Sequence, residues 1–443
     1  MPEPLLAPSF VPLVVAFAEC FTTPSFETFQ HLMAGWVLCL GRHTVTGVLR
    51  AAGAVGPRYK HHSCFHRFFN VAAWCMEEVS LNLVKLVLQL VPEHEPIMVA
   101  VDDTLGHHTG KHIRAASMHR DELLSTRAKV VFHWGHVWVV LAIIVHVPLC
   151  QKHFALPVFW RLYRSQKLCK KENRVFLKKT EMTAQMIRRL GAALPERTII
   201  VLADSAYANA SVIKMLPANV HFIGRSRMDA ALYAPSPRNR TGRPRIKGAR
   251  LPSPAARARS SKGWRKLRVS IYGRPATVEI KAFDALWYIV GGGRLFRFVI
   301  IRGWPGHDDD DVLFTTDLAL TPQTIIETYC LRWKIEVTFE DAKGKLGFED
   351  PQNRTNAAVE RTAPMALCIY SLTVIWFATV GHRTPGARVA SYPWYTKTVP
   401  TFSDMLAALR REAWRQRLLD PAHPNRRIQK SVVPLLDAAA AGG

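Results

Sequence analysis

Ile97-Met-Val-Ala-Val-Asp102 and Thr198-Ile-Ile-Val-Leu-Ala-Asp204 are short apolar runs rich in β-branched residues, and each delivers an aspartate at its carboxyl end. Between them lie another Val/Ile-rich run, Val137 to Val147, and a basic helix-like segment, Thr180 to Leu194. Strands alternating with a helix predict an α/β core. In open α/β sheets functional groups gather at the carboxyl ends of strands, so both acids are expected in one crevice. Asp103 competes with Asp102 for that crevice. Neighbouring strand residues point to opposite faces, so only one of the two can look into it.

Ahead of this core, residues 1 to about 93 show helical spacing broken by Pro and Gly, with Arg58, Tyr59, Lys60, Phe65, Arg67, Phe68 and Phe69 interleaved as on a DNA face. Beyond Asp204 about a hundred residues separate the core from the next helical pattern. Arg238 to Arg268 carries twelve basic residues and no acid among Pro, Gly and Ser, a composition that predicts an exposed loop. Val269 to Arg302 alternates and carries turn glycines at 291 to 293, which predicts a β-rich insertion. Thr321-Pro322 is a good helix start, with a cap residue followed by Pro at the first helical position, and the helix should run to about Lys345. Ala363 to Val380 and Ser403 to Leu419 read as further helices. The first is the longest apolar run, but Pro364, Ser371, Thr373 and Thr379 dilute it, and a buried helix is expected rather than a membrane span.

Apolar residues at 49% and charged residues at 21% are those of a globular chain with a sizeable core, which excludes an intrinsically disordered protein. Lys and Arg number 59 against 34 Asp and Glu, a net charge of +25, so nucleic acid leads the expected partners. The eight cysteines include no CxxC pair, which fits a reducing cytoplasm and neither a zinc ribbon nor a disulfide framework. His61, His62, Cys64 and His66 lack a second paired ligand set and read as a helical surface.

On the helix from Thr321, residues Tyr329, Arg332, Glu336 and Lys343 fall within an arc about 60° wide at about 100° per residue. Taken alone this is either a salt-bridge ladder on a solvated face or a stripe suited to a metal ion and a phosphate. The string Tyr329-Cys-Leu-Arg332-Trp-Lys-Ile-Glu336-Val-Thr-Phe-Glu-Asp-Ala-Lys343 fits Tyr-x2-Arg-x3-Glu-x6-Lys, and it follows two strand-terminal aspartates in order. In this it resembles DDE transposases of bacterial insertion sequences, over roughly residues 95 to 350.

The resemblance implies a ribonuclease H-like mixed-sheet core with a β-rich insertion, flanked by helical N- and C-terminal regions. The expected division is a helical DNA-binding domain over 1–94, the first part of the core over 95–224, a basic loop and β-rich insertion over 225–318, the signature helix within 319–350, and a helical region over 351–443. It further implies Asp102, Asp204 and Glu336 as catalytic carboxylates holding two Mg²⁺ or Mn²⁺ ions. The family pattern Asp-x-Thr fits Asp102-Asp-Thr104 and favours Asp102, with Asp103 as the alternative. Tyr329, Arg332 and Lys343 would contact phosphates at the transposon end, and Glu340 would be a helper ligand or the partner of a basic side chain. Some relatives stack a flipped base on an aromatic just before the strand preceding the signature helix. Here that position is Asp311, and the nearest Trp is Trp304.

Because Mg²⁺ needs only oxygen ligands, His107, His108 and His112 read as loop or DNA-backbone contacts rather than zinc ligands. Thr241-Gly-Arg-Pro-Arg245 is similar to a minor-groove hook, although its arginines also suit non-specific phosphate binding. Arg243 and Arg245 are therefore expected DNA contacts. The expected function is that of an insertion-sequence transposase in the bacterial cytoplasm, at the nucleoid. It would bind terminal inverted repeats, cut DNA at transposon ends and join the 3′-hydroxyl to target DNA, with a homodimer bridging two ends. The alternatives are a nuclease of the same core without strand transfer and a non-catalytic DNA-binding protein.

Overall fold

The computed structural model describes residues 3–126, 128–236, 245–389, 394, 396–418, 435 and 438–440. Among these, twelve strands form one sheet. They are β1 (Ile97–His107), β2 (Ser117–Arg120), β3 (Phe132–Val147), β4 (Lys152–Tyr163), β5 (Ile199–Ala203), β6 (Val220–Arg225), β7 (Leu232–Tyr233), β8 (Arg250–Leu251), β9 (Arg265–Ile271), β10 (Arg274–Leu286), β11 (Leu295–Arg302) and β12 (Asp311–Thr315).

The centre runs β4-β3-β1-β5-β6. β3 is antiparallel to β1 and β4, whereas β5 is parallel to β1 and β6 is parallel to β5. This is a ribonuclease H-like arrangement, three strands joined antiparallel followed by two that run parallel to β1. β1 and β5 are almost continuously apolar up to their acids because helices cover both faces of the sheet there. The signature helix packs on one face against β1 and β4, and the helix Lys179–Ala193 packs on the other against β3 and β4.

The structure corrects several sequence expectations. β1 does not end at Asp102 but continues to His107, because β3 pairs with it as far as His107 opposite Gly135. β4 went unread because Pro157 interrupts its pattern. That proline lies at a register shift, where Phe159 pairs with Leu141 and Pro157 with Ala142, and a bulge tolerates a residue without an amide donor. The β-rich stretch after β6 adds its strands to the central sheet, as β12 pairs with β6 and β11 and β10 follow outward.

The signature segment is helical as Pro322–Cys330, a tighter 3₁₀ turn at Leu331–Trp333, and Lys334–Leu346. The Thr321 hydroxyl oxygen accepts the Thr324 amide at 3.1 Å and caps its start. Its end is set by Gly347, which adopts the left-handed conformation at φ 61°.

The N-terminal helices, chiefly Thr23–Leu38, His62–Asn70 and Met76–Leu88, share one apolar core with the sheet and with the helices Pro364–Thr379 and Phe402–Leu418. Pro364–Thr379 is buried nearly end to end against β4 and its helical neighbours. In the apolar helix Asn356–Thr379, 89% of the most apolar window is inside the protein, as expected for a core helix.

Candidate active site

β1 and β5 pair in parallel, with Ile97 opposite Ile199 and Ala100 opposite Leu202. The ladder runs to this pair and β5 ends at Ala203, so Asp204 leaves the end of the strand next to the one that carries Asp102, near enough for its charge to raise the Asp102 carboxyl. Two adjacent apolar strands thus bring two carboxylates into electrostatic contact, one within β1 and one just past the end of β5.

The third carboxylate arrives through Arg332. Its guanidinium donates from Nη1 to Asp102 Oδ2 at 2.7 Å and from Nη2 to Glu336 Oε1 at 2.8 Å. Glu336 lies one helical turn beyond Arg332, so the signature helix supplies both the bridge and its second acceptor. The three side chains are mostly buried, with exposures of 19% for Asp102, 15% for Arg332 and 31% for Glu336. Burial pushes the Asp102 carboxyl up to about 7; Arg332 pulls it down, and the negative charges of Asp103 and Asp204 push it further up. Burial also disfavours the Arg332 charge, but Asp102, Tyr329 and Glu336 outweigh it and hold the guanidinium above its ordinary range.

Asp103 faces the other way. Its carboxylate accepts from Lys179 Nζ and from the Tyr207 hydroxyl, each at 2.6 Å. Burial first, and then the neighbouring Asp103, keep the Tyr207 phenol protonated well above its usual range. Strand alternation thus separates the two candidates, with Asp102 beside Asp204 and Asp103 in a lysine–tyrosine clamp on the opposite face. Sequence reading missed Lys179 and Tyr207. The only signal was Tyr207 three residues after Asp204, and no local pattern ties Lys179 to a strand 76 residues away.

Tyr329 is buried at 7% exposure, with its ring edge-on to Trp304 at 6.4 Å between centroids. Burial raises its phenol, and Arg332 and Arg225 lower it. Lys343 lies further along the helix, donating to the Leu105 carbonyl at 2.6 Å and pairing with Glu349 at 3.5 Å. Tyr329, Arg332 and Glu336 therefore form one cluster with Asp102 and Asp204, while Lys343 is drawn onto the backbone of β1. Glu340 is exposed. Arg245 is exposed, and Arg243 lies outside the described residues.

The histidines after Asp102 differ from the expectation of loop or DNA-backbone contacts. His108 Nε2 meets His136 Nδ1 at 2.9 Å, and His136 Nε2 reaches the Arg114 carbonyl at 2.8 Å. Burial lowers His136 to about 3 and keeps it neutral. His107 ends β1 beside Asp121 and His133, and only His112 is a plainly exposed loop residue.

The donor set of Asp102, Asp204 and Glu336 is all oxygen, which suits a hard divalent cation. Two of these carboxylates already converge on a cation, the Arg332 guanidinium. Burial is the main reason that the Asp102 carboxyl is raised, and the charges of Asp103 and Asp204 add to it, so a cation placed among these carboxylates would favour their ionised form. The residues therefore fit a divalent metal.

Residues 16–278, more than half of the 443, match a family model described as DDE superfamily endonuclease. The match contains Asp102 and Asp204 and ends before the signature helix. No curated protein matches the chain.

Proposed function

The chain belongs to the DDE superfamily of endonucleases, and from that footing we propose that it is an insertion-sequence transposase that cuts DNA at transposon ends and joins the freed 3′-hydroxyl to target DNA. The observation that carries this reading is the Arg332 bridge between Asp102 and Glu336, with Asp204 at the end of the neighbouring strand β5 and near enough to act on Asp102.

Asp102, Asp204 and Glu336 would hold the metal. A pair of Mg²⁺ or Mn²⁺ ions, when bound, lowers the cost of negative charge on the attacking and leaving oxygens of the phosphodiester. Each protein group then has a definite task. With a metal held there, Asp102 and Glu336 would no longer need Arg332, whose two parallel donors are matched to phosphate oxygens. Tyr329, packed against Trp304, would help to hold Arg332 in place. Lys179 and Tyr207 clamp Asp103 and so hold the backbone that carries Asp102. The net charge of +25 draws the duplex to the protein, and Arg243 and Arg245 add phosphate or minor-groove contacts. Two such subunits would bridge the paired ends, each bound at a terminal inverted repeat.

The test is incubation of purified protein with Mg²⁺, a labelled duplex ending in the element's inverted repeat, and a target plasmid. Label joined to plasmid is the expected product. Cleavage without joining makes the protein a nuclease of the same fold, and a shifted but uncut band makes it a DNA-binding protein without chemistry.

A further inference from the structure

At the far end of β1, three ligand-type atoms meet. His107 Nε2 and His133 Nδ1 each lie 2.9 Å from Asp121 Oδ2, and all three atoms fall within 4.8 Å of one another. From these positions we propose a second metal centre, distinct from the carboxylate site, that takes a borderline transition ion of the Zn²⁺ class. His107, Asp121 and His133 are its protein ligands, and water fills the remaining position.

The donor set argues for the ion class. Two imidazoles and one carboxylate suit Zn²⁺, whereas Mg²⁺ prefers oxygen and keeps its waters. Three protein ligands leave one position open, and both imidazoles are accessible to solvent, at 42% exposure for His107 and 39% for His133. Asp121 is buried at 3%. Burial opposes its charge, yet hydrogen bonds from His107, the Leu124 amide and His133 outweigh burial and hold its carboxyl below the usual range.

The surroundings orient the ligands as the second shell of a metal site does. Asp121 Oδ1 accepts the Leu123 and Leu124 amides at 3.0 and 3.1 Å, which turns Oδ2 towards the two imidazoles. On His107 the other ring nitrogen, Nδ1, faces Glu349 Oε1 at 3.6 Å, and Glu349 also accepts the His107 amide at 3.0 Å. A carboxylate on the Nδ1 side would keep a proton there when an ion takes the place of the Nε2 proton that now bonds Asp121. Two ring nitrogens on one carboxylate oxygen then require either two protons or one cation, and a divalent ion meets all three atoms at once.

This place is separate from the carboxylate cluster. His107 is five residues beyond Asp102, about 17 Å along a strand, and alternation puts it on the Asp103 face. The ion would tie the loop after β2 to the ends of β1 and β3. Through Glu349, which Lys343 also holds, it would tie them to the segment after the signature helix. The inference does not rest on the transposase reading, since a nuclease or a silent binder has the same three ligands.

The test uses the full chain, stripped with chelator and titrated with Zn²⁺ against a chromogenic competitor in excess Mg²⁺. One tight equivalent is expected in the unmutated chain. It should weaken at least about tenfold in His107→Gln and in His133→Gln, and measurably in Glu349→Gln. It should persist in Asp102→Asn and Glu336→Gln. Far-UV circular dichroism in chelator checks that each variant is folded. Co²⁺ loading of the unmutated chain needs no variant, and the intense visible absorption of a four-coordinate site is expected. The absence of a tight Zn²⁺ equivalent, a tight equivalent that survives in both histidine variants, or a weak six-coordinate Co²⁺ spectrum overturns the proposal.

Discussion

At the scale of single residues, the site is built from charges that oppose one another, and Asp102 shows the cost most directly. Its carboxyl stands at about 7 in the folded protein against 3.8 for the free group, so the folded state keeps the proton longer than the unfolded chain does. The resulting destabilisation is absent below about pH 4, builds between about pH 4 and 7 and is full above that. At 1.36 kcal/mol per unit, it is on the order of 4 kcal/mol at most. Asp102→Asn removes the charge but leaves Arg332 with one anionic partner fewer, so a net gain of about 1–2 kcal/mol is expected at pH 8 without divalent ions. Little gain is expected at pH 4, and DNA cutting should vanish. Chemical denaturation in chelator at the two pH values checks the first part, and a nicking assay checks the second; an unchanged pH slope of stability would count against the buried charge. Arg332→Gln has the opposite sign. Without the guanidinium, Asp102 and Glu336 repel each other, and a loss of about 2–3 kcal/mol is expected in chelator. Mg²⁺ should recover more of that loss than it adds to the unmutated chain, as read from melting curves along an Mg²⁺ titration.

At the scale of elements, what joins the site is register and helix termination, and these differ in how far the sequence discloses them. The signature helix is legible because Thr321-Pro322 marks its start and Tyr329, Arg332 and Glu336 fall on one stripe whatever surrounds them. Each strand acid is legible as the end of an apolar run. That Asp102 and Asp204 come near each other follows from β1 and β5 being parallel neighbours, a long-range fact with no local signature. Arg332 as the bridge between carboxylates is invisible for the same reason, and so is the meeting of His107, Asp121 and His133 from three different segments. β4 was hidden by Pro157, whose bulge only pairing explains. Close backbone approach is a further hidden constraint. A Cβ on Gly135 would collide with the Gly106 carbonyl oxygen, so β3 approaches β1 near the two histidines only because that position is bare. Gly347→Ala tests the helix end. It places a Cβ at φ 61°, against the His43 ring at 2.6 Å and the Asp350 carboxylate. The left-handed conformation alone costs about 1–2 kcal/mol, and the crowding adds to it. Equilibrium unfolding should register at least that loss, whereas Gly344→Ala, inside the helix with nothing within 4 Å, should be neutral to stabilising by up to about 1 kcal/mol.

At the scale of the whole molecule, the helices before the sheet and those after it are held together by a half-buried and a buried arginine as well as by apolar surface. Arg361 donates to the carbonyls of Phe69, Ala72 and Trp74 at 3.4, 2.9 and 2.7 Å, and its guanidinium lies 4.4 Å from the centre of the Trp74 ring. Arg410 likewise donates to the Val37 and Cys39 carbonyls, and burial lowers it to about 10, which still leaves it charged at neutral pH. Trp36 ties the first of these helices to the signature helix by donating to the Leu346 carbonyl at 2.9 Å. With one apolar core running through all of them, the N-terminal helices have no separate interior in which to remain folded once the C-terminal helices leave. Unfolding should therefore be a single cooperative transition seen alike by tryptophan fluorescence and by circular dichroism. Arg361→Ala would orphan three carbonyls and lose the stacking on Trp74, for a cost of about 2–4 kcal/mol, while the carboxylate cluster keeps its own contacts. The expected result is a lower transition midpoint with the two probes still coincident, and DNA cutting near the unmutated rate well below that midpoint. Two separated transitions in this variant would mean that the N-terminal helices hold a core of their own, and that the arginines join domains rather than complete one.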